Sequence, residues 1–179
     1  MKIINRKIAY KGKYLKVIEK QCLSQNGKKF IWECVERHDA VFVFAVTRSK
    51  EVILEKIFRV PSKDYSIEMP AGLLDKKNEI PRVVAKRELL EETGYLAKKL
   101  IFISEFLVTP GGGSQKGFLF FAPNAELING GNREDAEEIE IIKVPIKNLE
   151  KFLINQSKKI EVDLKILGVL ALVKMKRLV

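Results

Sequence analysis

Three carboxylates and a guanidinium fall within six residues in the run Arg87-Glu88-Leu89-Leu90-Glu91-Glu92-Thr93-Gly94-Tyr95. On a helix, Glu88 and Glu92 are four apart and Glu88 and Glu91 three apart. All three then project from one face, within about 100° of arc. Like charges at that spacing destabilise a bare helix by about 0.2–0.5 kcal/mol per pair. A cation held between them reverses the sign of that interaction. The donors are hard oxygens with no Cys or His among them, a set that favours Mg²⁺ or Mn²⁺ over Zn²⁺. The competing reading is a surface helix with a solvated acidic stripe.

The element that must carry these groups is a helix over residues 80 to 93. Pro81 suits its first turn, where the missing N–H costs nothing, and Gly94 supplies a C-terminal stop. Val83 and Leu90 lie opposite the glutamates, and Val84 and Ala85 flank the acidic face, so the helix is predicted to pack on two sides. Around it the pattern predicts a mixed sheet. Asn26-Gly27 signals a two-residue hairpin turn between Val17–Leu23 and Phe30–Val35; that register sets Cys22 against Ile31 and leaves Cys22 and Cys34 unopposed. Strands are expected at 41–46, 52–58, 101–107, 117–122 and 139–144, with Arg48-Ser49-Lys50 as a turn. Helices are expected at 146–153 and 162–178, the last ending in cations suited to a helix C-terminus.

Composition narrows the class. The chain has 179 residues, 46% apolar content and a net charge of +10, enough for one domain with a sizeable core. The first residues are charged and lack the apolar run of a secretory signal. The longest apolar run, 166–173, is too short to span a bilayer. Two cysteines read as free thiols in a reducing cytosol, so the expectation is a cytoplasmic protein. The lysines are scattered rather than gathered with aromatics, which argues against nucleic acid and for steering of polyanionic substrates.

The run Gly72 to Tyr95, GLLDKKNEIPRVVAKRELLEETGY, resembles the box of the Nudix hydrolase family. That box runs Gly, five residues, Glu, seven residues, then Arg-Glu-apolar-x-Glu-Glu-x-Gly-apolar. Here six residues separate Gly72 from Glu79. The extra residue lies in the polar turn 73–78, where insertions are tolerated. It leaves the three helix glutamates in place and the position of Glu79 open. The resemblance implies an α+β fold, with a mixed β-sheet in an α/β/α sandwich. Residues 1–38 would form a small antiparallel sheet for dimerisation and adenine contact, and residues 39–179 the hydrolase domain.

The resemblance also assigns roles. Ser66-Ile67-Glu68-Met69-Pro70-Ala71-Gly72 matches the lead into the box, so metal ligands are expected at Glu88, Glu91, Glu92 and the Ala71 carbonyl. Glu68 either supports that cluster or pairs with Arg87 or Lys86. Arg87 is expected to orient a neighbouring carboxylate. Phe30-Ile31-Trp32-Glu33-Cys34-Val35-Glu36-Arg37 looks like a strand of ADP-sugar hydrolases. By that likeness Trp32 stacks on adenine, with Glu33 and Arg37 as further ligand contacts; a core or dimer-interface role is the alternative for Trp32. Ile57-Phe58-Arg59-Val60-Pro61 resembles a segment whose arginine approaches the substrate, with Lys56-Ile57 where a glutamine is usual. Pro110 stands 15 residues after Tyr95, a spacing found in ADP-ribose pyrophosphatases. Leu73 and Gly111 complete the substrate set. Glu137 is placed as the base, with Glu134 and Glu138 as rivals, and catalysis is assigned to Glu137, Glu92 and Glu88. His38 is read as structural or a ligand-edge contact.

The expected function is Mg²⁺-dependent hydrolysis of a nucleoside diphosphate sugar, first ADP-ribose to AMP and ribose 5-phosphate. GDP-mannose or another nucleotide sugar is the alternative. A Nudix-fold nucleotide sensor without chemistry is the reading from another class. A homodimer exchanging residues 1 to 38 is expected, with Trp32 serving the partner's site.

Overall fold

A computed structural model of the chain describes residues 1–128 and 138–179. The strands are β1 (Lys2–Lys11), β2 (Lys16–Leu23), β3 (Lys29–Glu36), β4 (Ala40–Thr47), β5 (Glu51–Arg59), β6 (Asp64–Glu68), β7 (Ala71–Leu73), β8 (Tyr95–Leu96), β9 (Ile101–Leu107), β10 (Lys116–Leu127), β11 (Ile139–Pro145) and β12 (Glu161–Val162). The helices are α1 (Pro81–Thr93), α2 (Leu149–Gln156) and α3 (Lys165–Met175). Strands β1 to β3 form an antiparallel sheet of their own. The larger sheet runs β12-β6-β5-β4-β10-β8, with β11 on β5, β7 on β4 and β9 on β10. It is mixed: β10 runs parallel to β4 and β12 parallel to β6, and the other pairs are antiparallel.

Strand β4 shows how the sheet is covered on both sides. Val41, Val43 and Ala45 pack with Val84, Ala85 and Leu89 of α1. Phe44 and Val46 pack with Leu149 and Leu153 of α2 and Ile166, Val169, Leu170 and Val173 of α3. Alternating side chains therefore feed two cores, one on each face. Burying a Leu or Val completely stabilises by about 1.5–3 kcal/mol, so α1 is fixed to the sheet by a few residues.

Several local expectations change. The hairpin loop takes five residues, Ser24 to Lys28, because Ser24 Oγ accepts from the Lys28 amide and Gly27 sits at φ 80°. Cys22 is consequently opposite Phe30, and Cys34 opposite Ile18; both thiols are free and buried. On α1 the inward row is Val84, Ala85, Leu89 and Thr93, while Val83 is exposed. Ala85 and Thr93, eight residues apart on that row, are small enough to let the helix approach closely, and Thr93 donates its hydroxyl to the Leu89 carbonyl. The expected helix at 146–153 opens with a 3-10 turn, Ile146–Asn148. The expected helix at 162–178 gives its first residues to β12 and starts after Asp163, whose side chain accepts from the Lys165 amide at 2.9 Å.

Candidate active site

Strand β7 and helix α1 bring the box together. β7 pairs with β4, setting Ala71 against Phe42 and Gly72 against Val41. α1 begins with Pro81 in its first turn. It stops at Gly94, which takes φ 77° and donates its N–H to the Leu90 carbonyl at 2.8 Å. Between them the glutamates are held over the strand. A Cβ on Gly72 would collide with the Glu88 side chain, so only glycine lets that carboxylate lie against the backbone. The Ala71 N–H donates to Glu92 Oε2 at 3.1 Å.

Arg87 links the carboxylates. Its two terminal nitrogens donate to Glu88 and Glu91, each at 2.7 Å. Its pKa is raised: partial burial works against the charge, but the Glu88 charge and the Glu91 hydrogen bond outweigh it. Glu79 reaches Arg87 as well, at 4.0 Å. The extra loop residue is absorbed before it. Asn78 adopts φ 63°, a region asparagine tolerates better than most residues, and the Lys76 amide donates to Glu79 Oε2 at 3.0 Å. Glu79 thus arrives beside Arg87 despite the longer turn.

The other pair at the site lies on β5 and β6. Arg59 Nε and Nη2 donate to the two oxygens of Glu68 at 2.8 and 2.7 Å. Glu68 therefore partners Arg59, neither Arg87 nor Lys86. Such two-pronged pairs are the stronger kind of charged hydrogen bond. Burial pushes the Glu68 carboxyl up, but the Arg59 hydrogen bond and charge prevail and hold it below its ordinary value.

These groups face one cavity of about 570 Å³, lined among others by Arg59, Glu68, Ala71, Leu73, Glu88, Glu91 and Glu92. Six of the residues expected at the site are thus gathered: Arg59, Ala71, Leu73 and the three helix glutamates. Trp32, Glu33, Arg37 and Gly111 do not line it. Trp32 lies on β3, half exposed, opposite Lys20 and on the same face as Cys22 and Cys34. Arg37 and His38 line a neighbouring cavity of about 420 Å³ with Lys76 and Glu79. The loop holding Gly111 packs on β3, where the Val35 N–H donates to the Gly112 carbonyl at 2.7 Å. Glu134 and Glu137 lie outside the described residues. Glu138 accepts from the Tyr65 hydroxyl at 3.1 Å, and Tyr65 projects from the face of β6 opposite to Glu68.

Among the described residues, no three His, Cys, Asp or Glu side chains converge as a finished metal site. Here Arg87 spans Glu88 and Glu91, and the Ala71 amide engages Glu92. The donor set still fits a hard divalent cation, with three carboxylates and a backbone carbonyl around the close approach at Gly72. Sequence reasoning passed over Glu55, Lys76 and Gln115. Lys76 and Gln115 line the cavity. Glu55 is a buried carboxylate on β5, 2% exposed, and its signal was a charge at an inward position of an apolar strand.

A family model for the NUDIX domain matches residues 36–162. The chain belongs to the Nudix family. It is 34% identical over 153 residues to the ADP-ribose pyrophosphatase of Bacillus subtilis (strain 168), an alignment covering 85% of this chain and 82% of that protein. It is 28% identical over 153 residues to the methanol dehydrogenase activator of Bacillus methanolicus, with the same coverage of 85% and 82%. Among solved structures, an ADP compounds hydrolase matches with a TM-score of 0.82 and 21% identity, covering 97% of this chain and 92% of that one. That likeness confirms the Nudix fold. With the family match and the helix glutamates intact, the chain is a Nudix hydrolase.

Proposed function

We propose that this Nudix hydrolase cleaves the diphosphate of a nucleoside diphosphate sugar, with ADP-ribose, converted to AMP and ribose 5-phosphate, as its substrate. The observation that carries the reading is the single cavity shared by Arg59 and the three helix glutamates. A guanidinium opposite a carboxylate cluster suits a diphosphate bridged to a hard cation. The similarity to the Bacillus subtilis ADP-ribose pyrophosphatase supports a nucleotide sugar and favours ADP-ribose.

Glu88, Glu91, Glu92 and the Ala71 carbonyl would hold the divalent cation, Mg²⁺ or Mn²⁺. When bound, that ion neutralises phosphate charge and makes water a better nucleophile near neutral pH. Arg59 donates its unused N–H groups to phosphate oxygens and so orients the diphosphate. Arg87 keeps Glu88 and Glu91 aligned when the cavity fills, through the same guanidinium that now bridges them. Glu137 takes the proton of the attacking water. The bond from phosphorus to the bridging oxygen breaks, and the leaving phosphate is released with that oxygen. Leu73 borders the path of the sugar.

The reading extends to assembly. Residues 1–38 form a dimerising extension to the hydrolase domain at 39–179. In the homodimer, Trp32 reaches the partner's cavity, and the indole stacks on adenine. What supports this is the exposure of Trp32 and of every residue of β1. Among the described residues no helix is long and apolar enough to cross a membrane. Two free buried thiols suit a cytoplasmic setting.

The test is incubation with Mg²⁺ and a panel of ADP-ribose, GDP-mannose, ADP-glucose, NADH and diadenosine polyphosphates. AMP from ADP-ribose is expected as the fastest product. Faster turnover of GDP-mannose moves the assignment to that sugar. Tight ADP-ribose binding without turnover makes the chain a sensor.

A further inference from the structure

Glu55 is a carboxylate that the reaction above does not use, and it is as buried as the core leucines. Ionised groups are seldom enclosed without a specific use for their charge. In the β5–β6 ladder Glu55 is directly opposite Glu68. Residues opposed in an antiparallel pair share a face and lie about 4.5–5.5 Å apart. Two carboxylates in that relation repel, unless a cation stands between them.

Arg59, ion-paired to Glu68, is a cation near that pair. It lies on the same strand and face as Glu55, four residues on, with Ile57 between them. To meet Glu68, its side chain must run back along β5 over Ile57, toward the opposed Glu55–Glu68 pair. Both Nε and Nη2 are then used on Glu68, which leaves the Nη1 edge for a ligand in the cavity. The Glu55 charge favours the Arg59 cation, behind the contributions of Glu68 and Glu92.

We propose that Glu55 is a positioning residue for Arg59. With Glu68 it makes a two-carboxylate seat that holds the guanidinium over Ile57, its free edge toward the diphosphate. Glu68 supplies the direct hydrogen bonds, and Glu55 supplies a charge from the buried side of the guanidinium. The inference rests on the diphosphate reading for its effect on catalysis, but the seat itself is a property of the unliganded protein.

Two measurements separate these levels. In steady-state kinetics with ADP-ribose and Mg²⁺, Glu55→Gln is expected to raise KM roughly fivefold with kcat changed less than about twofold, the pattern of lost binding common to ground and transition states. In an Arg59→Ala background the same substitution should leave KM unchanged. An unchanged KM in the single variant, or an equal rise without Arg59, overturns the proposal. Should Glu55→Gln not fold, Glu55→Asp carries the same pair of comparisons, since it keeps the charge but withdraws it by one methylene. The second measurement needs no turnover. It is the solvent-exchange rate of the Arg59 Nε proton by NMR, assigned by its loss in Arg59→Lys. Exchange several-fold faster in either Glu55 variant is expected, and an unchanged rate removes the seat. If the wild-type protein releases no AMP, the reading of the reaction fails, and the NMR result still decides the role of Glu55.

Discussion

The box on β7 and α1 and the sheet of β1 to β3 use their side chains in opposite ways. Around the box, charge is met by charge within the same neighbourhood: Arg87 holds Glu88 and Glu91, and Arg59 holds Glu68. In the three-stranded sheet, all ten residues of β1 are exposed, and Ile3, Ile8, Tyr10, Ile31 and Trp32 present apolar surface. In the first region the charges find partners within the chain; in the second these apolar groups are left uncovered among the described residues. The contrast teaches where the chemistry and the specificity reside. On the proposed reading, the reacting groups are set by a helix and a short strand, and recognition of the nucleoside would fall to a surface brought by another copy.

That comparison can be broken from either side. The largest effect is expected at the box: Glu92→Gln should lower kcat roughly 10²-fold or more with the melting temperature near wild type, if its carboxylate holds metal. Unchanged turnover would remove Glu92 from the site. Next comes Gly72→Ala. The added methyl meets Glu88, so a destabilisation of about 1–3 kcal/mol and a loss of activity of at least roughly tenfold are expected from denaturant titration and kinetics. Wild-type behaviour would deny the close approach. On the other side, Trp32→Ala should raise KM for ADP-ribose roughly tenfold, with kcat and stability little changed because the indole is half exposed. No change in KM would leave the N-terminal sheet without a part in recognition.

The smallest expected effect is electrostatic. Glu68 has its folded pKa held below the ordinary 4.5, against burial and through Arg59. Its contribution is therefore complete above the ordinary value and is lost as pH falls through the folded one. Arg59 is 43% exposed and partly screened, so the contribution is about 1 kcal/mol. In urea titrations from pH 7 downward, the stability gap between wild type and Glu68→Gln should shrink below the ordinary carboxylate range. A constant gap would show that the pair adds no stability.

The helix glutamates were legible in the sequence because their relation is local: spacings of three and four fix a shared face once the helix is granted. The Pro81 and Gly94 boundaries were legible for the same reason. Glu68 was not, since its partner Arg59 is reached across the β5–β6 ladder, and no spacing along the chain encodes that register. On α1 the packing of Val84 and Ala85 was legible, but hydropathy also favoured Val83, which is exposed, and gave no sign of the buried Thr93. β7 and β12 are two or three residues long, too short for alternation to reveal. The extra residue before Glu79 looked disruptive, yet one left-handed asparagine and one amide bond to Glu79 accommodate it.

The central claim is that the carboxylate cavity hydrolyses a diphosphate, and product analysis tests it most directly. Purified protein at micromolar concentration, with Mg²⁺ and ADP-ribose, should release AMP and ribose 5-phosphate in equal amounts, with no AMP when the ion is withheld. Absence of AMP from the complete mixture would contradict the account.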